Sequence, residues 1–180
     1  MPTLNGKGQA SVLSNSQIDN IISIARSPYK EIFAIAAFTG CRVSEAIKMT
    51  ADKLDLELGH ILFTETKTKV DRLVPLHPEL VAILSRANLP RSGYLFPSPK
   101  TKSHITRQVV SEDLKLIAAD LGYVGVSTHS FRRSLATNLY EKGIDLKSIA
   151  SVTGHQSLDK LSIYIDVSPE KQKAAIMNLR

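Results

Sequence analysis

Apolar residues recur at helical spacing through most of the chain. Ser14 followed by Gln17 marks a capping-box start, and Ile18, Ile21, Ile22 and Ala25 follow on one face. Ser27-Pro28 breaks that helix, and a second is expected over 29–39, with Ile32, Ile35, Ala36 and Phe38 inward and Gly40 as its C′ residue. A short third helix is expected over 43–49, with Val43, Ala46 and Ile47 inward. The period then changes to two. Ile61 and Phe63 alternate with Leu62 and Thr64, and Leu73 and Pro75 alternate with Val74 and Leu76. Joined by the charged stretch TKTKVDR, they read as a β-hairpin, with room for one more short strand before Leu58. A helix from Pro78 to Ala87 follows, then a long ordered loop over 88–103 rich in Pro, Ser and Gly. Further helices are expected at about 106–121, 130–141, 146–152, 158–165 and 169–178. The pattern predicts a mainly α domain carrying one small antiparallel β-sheet, with residues 1–12 as a flexible arm.

Composition narrows the classes. The chain has 180 residues, of which 43% are apolar, enough for a real core. Its net charge is +6 (23 basic less 17 acidic residues), which favours a polyanionic partner, nucleic acid or an anionic surface. A single cysteine, Cys41, excludes an internal disulfide and any multi-cysteine metal site, and fits a reducing compartment. The apolar runs are far short of the roughly 18 residues of a membrane span, and the first residues show no signal-peptide pattern. A cytoplasmic, membrane-free protein is expected.

Several polar residues sit where packing does not call for them. Arg42 stands at a helix start with Glu45 three residues on, suited to an anion held by a guanidinium fork and free N–H groups; alone, the pair reads as a surface ion pair. Lys67 and Lys69 lie in the hairpin turn, where a lysine can reach a phosphate or protonate a leaving oxygen, or simply decorate an exposed turn. His129 and Arg132 share a face of one helix beside an expected buried stripe of Phe131, Leu135, Ala136 and Leu139, and Arg133 is offset toward solvent or a phosphate. His155 follows Gly154 at a helix end, and Tyr164 comes nine residues later; singly, each is an ordinary structural residue.

Together they describe chemistry on a phosphodiester. Two guanidinium groups can neutralise non-bridging oxygens, imidazoles can bind them or move a proton, a lysine can protonate a departing 5′ oxygen, and a phenol can attack phosphorus. A phenol of pKa about 10 needs a cationic pocket to act near neutral pH. No carboxylate cluster suggests a catalytic metal, so the expected cations are side chains.

The order of these residues resembles the catalytic domain of the tyrosine recombinases, the phage-integrase family that includes Xer-type and Cre-type enzymes. The resemblance covers residues 12–178 and rests on TGCRVSEA, TKTKVDRLVPL, YLFPS, THSFRRSLATNLYEKGIDLKSIASVTGH and LSIYIDV. It implies a site-specific recombinase that cleaves and rejoins DNA through a 3′-phosphotyrosyl intermediate, with no cofactor, metal or ATP. It implies that Arg42 and Arg132 clamp the phosphate and that Lys67, preferred over Lys69 by its position before Asp71-Arg72-Leu73, is the general acid. It implies that His129 helps activate the tyrosine, His155 binds the phosphate, Glu45 supports Arg42, and Tyr164 is the nucleophile. Double-stranded DNA is the implied partner, with further protomers in a tetrameric synapse. Lys69, Arg72, Lys100, Lys102, Arg107 and Arg133 are candidate DNA contacts, as are Arg86, Arg91 and His104 nearby.

A type IB topoisomerase-like relaxer, a DNA-binding protein without catalysis and, remotely, a cysteine hydrolase built on Cys41 are the alternatives. Two departures stand out. The separate N-terminal clamp domain usual in relatives is expected to be absent, which suits either a fragment or a naturally short enzyme. Positions 152–153 read Val-Thr where many relatives carry Leu-Leu, a small packing change. The segment PEKQKAAIMNLR, with Ile176, Met177 and Leu179 at helical spacing, suits docking on a neighbouring protomer or on its own.

Overall fold

A computed structural model describes residues 10–64, 71–101, 103–155, 157–162, 173 and 176–177. Helix α1 (Asn15–Ile24) opens with the expected capping box: Ser14 Oγ accepts from the Gln17 N–H, and the Gln17 side chain accepts from the Ser14 N–H. Ile18, Ile21, Ile22 and Ala25 are all buried. Helix α2 (Tyr29–Thr39) ends at Gly40 in the left-handed conformation, φ 62°. The expectation of one inward stripe on α2 is too narrow. Phe33, Ala34 and Ala37 are buried as well as Ile32, Ile35 and Ala36, because α2 is the central helix, packed against α1, α4 and α6. Helix α3 (Val43–Ala46) is shorter than expected, while Val43, Ala46 and Ile47 point inward as anticipated.

A 3-10 turn at Ala51–Lys53 leads into a three-stranded antiparallel sheet of β1 (Leu54–Asp55), β2 (His60–Phe63) and β3 (Arg72–Pro75), in that spatial order. The short strand anticipated before Leu58 is β1, pairing Leu54 with Ile61. In β2–β3, Ile61 pairs with Val74 and Phe63 with Arg72, which puts Ile61, Phe63 and Val74 on the buried face.

Helix α4 (Pro78–Arg86) precedes the long loop. That loop is ordered by burying Leu95, Phe96 and Ile105 and by two isolated bridges, Thr50 with Tyr94 and Pro97 with His104. Helices α5 (Arg107–Asp120), α6 (Thr128–Glu141), α7 (Leu146–Thr153) and α8 (Leu158–Ser162) follow. The Phe33 and Phe131 rings stack at 5.5 Å and join α2 to α6 in the main core. Ala136, Ile149 and Leu161 form a second small core linking α6, α7 and α8. No helix among the described residues is long and apolar enough to cross a membrane.

The first described residues are docked on the domain, although 1–12 reads from sequence as a free arm. The Ser11 N–H donates to the Gly125 carbonyl at 3.0 Å, and Ser11 Oγ donates to the Val124 carbonyl at 2.7 Å. The Leu13 N–H donates to the buried Ser134 Oγ at 2.7 Å. Arg133, expected to face solvent or a phosphate, is half-buried and donates to the Ala10 carbonyl at 2.5 Å. The expected continuation of α8 to Ile165 and the helix over 169–178 fall outside the described residues, except at 173, 176 and 177. Ile176 and Met177 are exposed, and Leu179 is not among the described residues.

Candidate anion-binding active site

Arg132 organises the site. It projects from α6 into the junction between the end of α2 and the end of α7, and only 3% of its surface is exposed. Its Nη1 donates to the Gly40 carbonyl at 2.8 Å and to the Thr153 carbonyl. Its Nη2 donates to the Gly154 carbonyl at 3.2 Å, and its Nε donates to His155 Nε2 at 3.2 Å. Helix ends expose carbonyls that have no partner in their own helix, so the C-termini of α2 and α7 together make a cage for a cation.

Gly40 is required by this junction. A Cβ there would come within 2.7 Å of Thr153 Cγ2 and 2.9 Å of Leu135 Cδ2, and the backbone is left-handed. Sequence periodicity places Arg132 beside the core; the structure places it inside, paired to carbonyls up to 92 residues away.

Arg42 caps the other side. It is the N-cap of α3, with its side chain 45% exposed. Glu45 braces it from one turn on: one carboxylate oxygen accepts from the Arg42 N–H at 2.5 Å, and the other lies 3.6 Å from Nη1. Such an exposed pair adds little stability, so the brace chiefly restricts where the guanidinium can point.

His155 follows Gly154, the left-handed C-cap of α7. Burial, then the positive charges of Arg132, Arg42 and Arg72, push its pKa down to about 4, so the ring is neutral at pH 7. His129, in the first turn of α6, keeps an exposed edge. Its pKa is also lowered, first by the desolvation of its inner side and then by Arg107, Arg132 and Arg42. Four guanidinium groups and two uncharged imidazoles therefore converge from α2–α3, β3, α5, α6 and the end of α7. Glu45 braces Arg42 among them. This is an electrostatic setting for an anion.

Arg72, a candidate DNA contact from sequence, turns out to be built into the cluster. Its guanidinium lies 4.5 Å from the centre of the Phe63 ring and its three nitrogens are buried. Lys100 and Arg107 are exposed at the loop and at the start of α5. Lys67, Lys69, Lys102 and Tyr164 lie outside the described residues. Cys41 is fully buried, and burial pushes its thiol pKa up to about 12, which leaves it a small apolar side chain and no nucleophile. Among the described residues no group of three or more His, Cys, Asp or Glu side chains could hold a metal ion.

Two further participants have weak local signals. Thr153 reads as a packing residue yet donates to the Ile149 carbonyl and meets His155 Nδ1, both at 2.7 Å. Arg72 reads as one more hairpin cation, and its inward turn follows from the register that places it opposite Phe63.

The fold agrees with three comparisons. The sequence model of the phage integrase family matches residues 11–171, and the chain belongs to that family. The tyrosine recombinase XerD of Rhizobium meliloti (strain 1021) is 29% identical over 179 residues, covering 95% of this chain and 57% of the relative. The integrase from mycobacterium phage Brujita is 30% identical with a TM-score of 0.73, covering 98% of this chain and 60% of that one. The XerH site-specific recombinase, in a pre-cleavage complex with its difH substrate, shares the fold at a TM-score of 0.76 and 23% identity, covering 99% of this chain and 57% of that one. The chain thus spans a little over half the length of these proteins.

Proposed function

We propose that this chain is the catalytic domain of a site-specific DNA recombinase that breaks and rejoins strands through a 3′-phosphotyrosyl intermediate. The observation that carries this reading is the convergence of Arg42 at the start of α3, His129 and Arg132 on α6 and His155 at the end of α7, with both arginines acting on both imidazoles. In this reading Arg42 and Arg132 neutralise the non-bridging oxygens of the scissile phosphate, and His155 lies beside Arg132 against the same group. The Tyr164 oxygen attacks phosphorus as its proton passes to His129, which is neutral near pH 7 and has a lone pair to accept it. The bond from phosphorus to the 5′ oxygen breaks, and Lys67 supplies the proton that the leaving oxygen takes. The phosphotyrosyl ester keeps the bond energy, so a second strand's 5′ hydroxyl can reverse the step with no external energy source.

Double-stranded DNA is the partner, engaged by Lys69, Lys100, Lys102 and Arg107 through backbone phosphates. Strand exchange calls for four protomers on two duplexes, and the work takes place in the cytoplasm at the nucleoid. The test is a pool of nicked suicide duplexes with randomised core sequence, in which the released strand cannot religate. The wild-type chain is expected to form an SDS-stable adduct and Tyr164→Phe none. An adduct with the Phe variant, or none with the wild type across the pool, overturns the proposal.

A further inference from the structure

We propose that Thr153 is a positioning residue whose hydroxyl fixes His155 in the tautomer protonated at Nδ1, leaving the Nε2 lone pair to accept from Arg132. Donors and acceptors along this row can be assigned in only one direction. Thr153 Oγ1 lies 2.7 Å from the Ile149 carbonyl, which can only accept, so the hydroxyl proton goes there. The lone pairs of Oγ1 then face His155 Nδ1 at 2.7 Å, and Nδ1 must carry the proton. At the other end of the ring, the Arg132 Nε–H is a donor that cannot be given up, so Nε2 must accept it at 3.2 Å. A proton on Nε2 would set two donors face to face.

The same threonine serves the cage in two other ways. Its carbonyl accepts from Arg132 Nη1, and its methyl packs where a Cβ on Gly40 would fall, 2.7 Å away. Thr153 is wholly buried, so water cannot replace its hydroxyl. The row from Arg132 through His155 and Thr153 to the Ile149 carbonyl ties the guanidinium to the backbone of α7. A threonine at the last position of α7 thereby sets which nitrogen of His155 is basic and how Arg132 is turned. Position 153 reads from sequence only as a packing change, and nothing in the proposed chemistry requires a hydroxyl there. The effect on rate rests on the recombinase reading; the effect on the tautomer does not.

The experiment uses the full 180-residue chain, 15N-labelled at histidine, as wild type, Thr153→Val and Thr153→Ser. Long-range 15N–1H correlations at pH 7.5 report the His155 tautomer directly. Wild type and Thr153→Ser are expected to show a protonated Nδ1, and Thr153→Val, which keeps the shape and loses the acceptor, a population protonated at Nε2. On a suicide duplex that wild type cleaves, Thr153→Val is expected to slow adduct formation about tenfold at saturating DNA, with unchanged DNA affinity, and Thr153→Ser to recover most of the rate. A wild-type ring protonated at Nε2, or a Val variant that keeps the wild-type pattern, overturns the proposal. Absence of any wild-type adduct overturns the recombinase reading alone, because the tautomer measurement needs no DNA.

Discussion

The guanidinium of Arg72 occupies the space that a side chain on Gly154 would fill: a Cβ built there falls 2.0 Å from Arg72 Nη1. Gly154 is also left-handed, at φ 73°. Gly154→Ala therefore adds backbone strain of about 1 kcal/mol and displaces a buried cation beside His155. Chemical unfolding should show a loss of about 1–3 kcal/mol, with cleavage falling further than stability alone explains. Wild-type stability in this variant would mean that Arg72 moves without cost.

Arg132 has a structural duty beside the chemical one proposed for it. Its guanidinium satisfies three backbone carbonyls at the ends of α2 and α7 and holds the His155 ring. Arg132→Ala should lose adduct formation and also about 2–4 kcal/mol of stability, measured by urea unfolding. Arg42→Ala, at an exposed helix start, should lose activity with stability changed by less than about 1 kcal/mol. Equal stability losses in the two variants would contradict the cage.

The depressed pKa of His155 predicts how stability varies with pH. The ring takes up a proton near pH 6.5 in the unfolded chain and near 4 in the folded one. Between these values the unfolded state binds more protons, so stability is full above about pH 6.5 and falls as pH drops toward 4. The groups opposing the charge are Arg132 on α6, Arg42 at the start of α3 and Arg72 on β3. The cost reaches about 2 kcal/mol at pH 5. Urea unfolding at pH 7.5 and pH 5 measures it, and His155→Asn should shrink the difference by about that amount. An unchanged difference would place the acid-sensitive group elsewhere.

The general acid can be assigned chemically. A 5′-bridging phosphorothioate has a leaving group that needs no proton, so it should restore cleavage to Lys67→Ala. Lys69→Ala should cleave the ordinary duplex well enough to need no rescue. Rescue of the Lys69 variant instead would exchange the two roles.

Much of this architecture can be read locally. The Ser14–Gln17 box, the Gly40 cap and the period-two runs of β2 and β3 each depend on neighbours within a few residues, so sequence spacing carries them. The order Arg42, His129-x-x-Arg132, Gly154-His155 likewise marks the candidate site, because Arg42, His129 and His155 sit at legible helix ends and Arg132 lies one turn on from His129. What spacing cannot carry is partnership across the chain. No local signal announces that Arg132 is buried, since its partners Gly40 and Thr153 lie on other helices. Helical spacing sets Arg132 and Arg133 on different faces but does not give their partners, the α7 carbonyls for one and the Ala10 carbonyl for the other. The all-round burial of α2 is equally hidden, because it depends on how many helices surround it rather than on its own composition.

The attachment of the incoming chain has a mechanical consequence. Ala10 and Leu13 are fastened to Arg133 and Ser134, the two residues that directly follow Arg132 on α6. A load applied upstream of residue 10 is therefore delivered to the helix that carries the buried guanidinium, through two hydrogen bonds and within one helical turn of it. The backbone at residues 10–13 is thereby coupled to the helix that carries the proposed phosphate clamp.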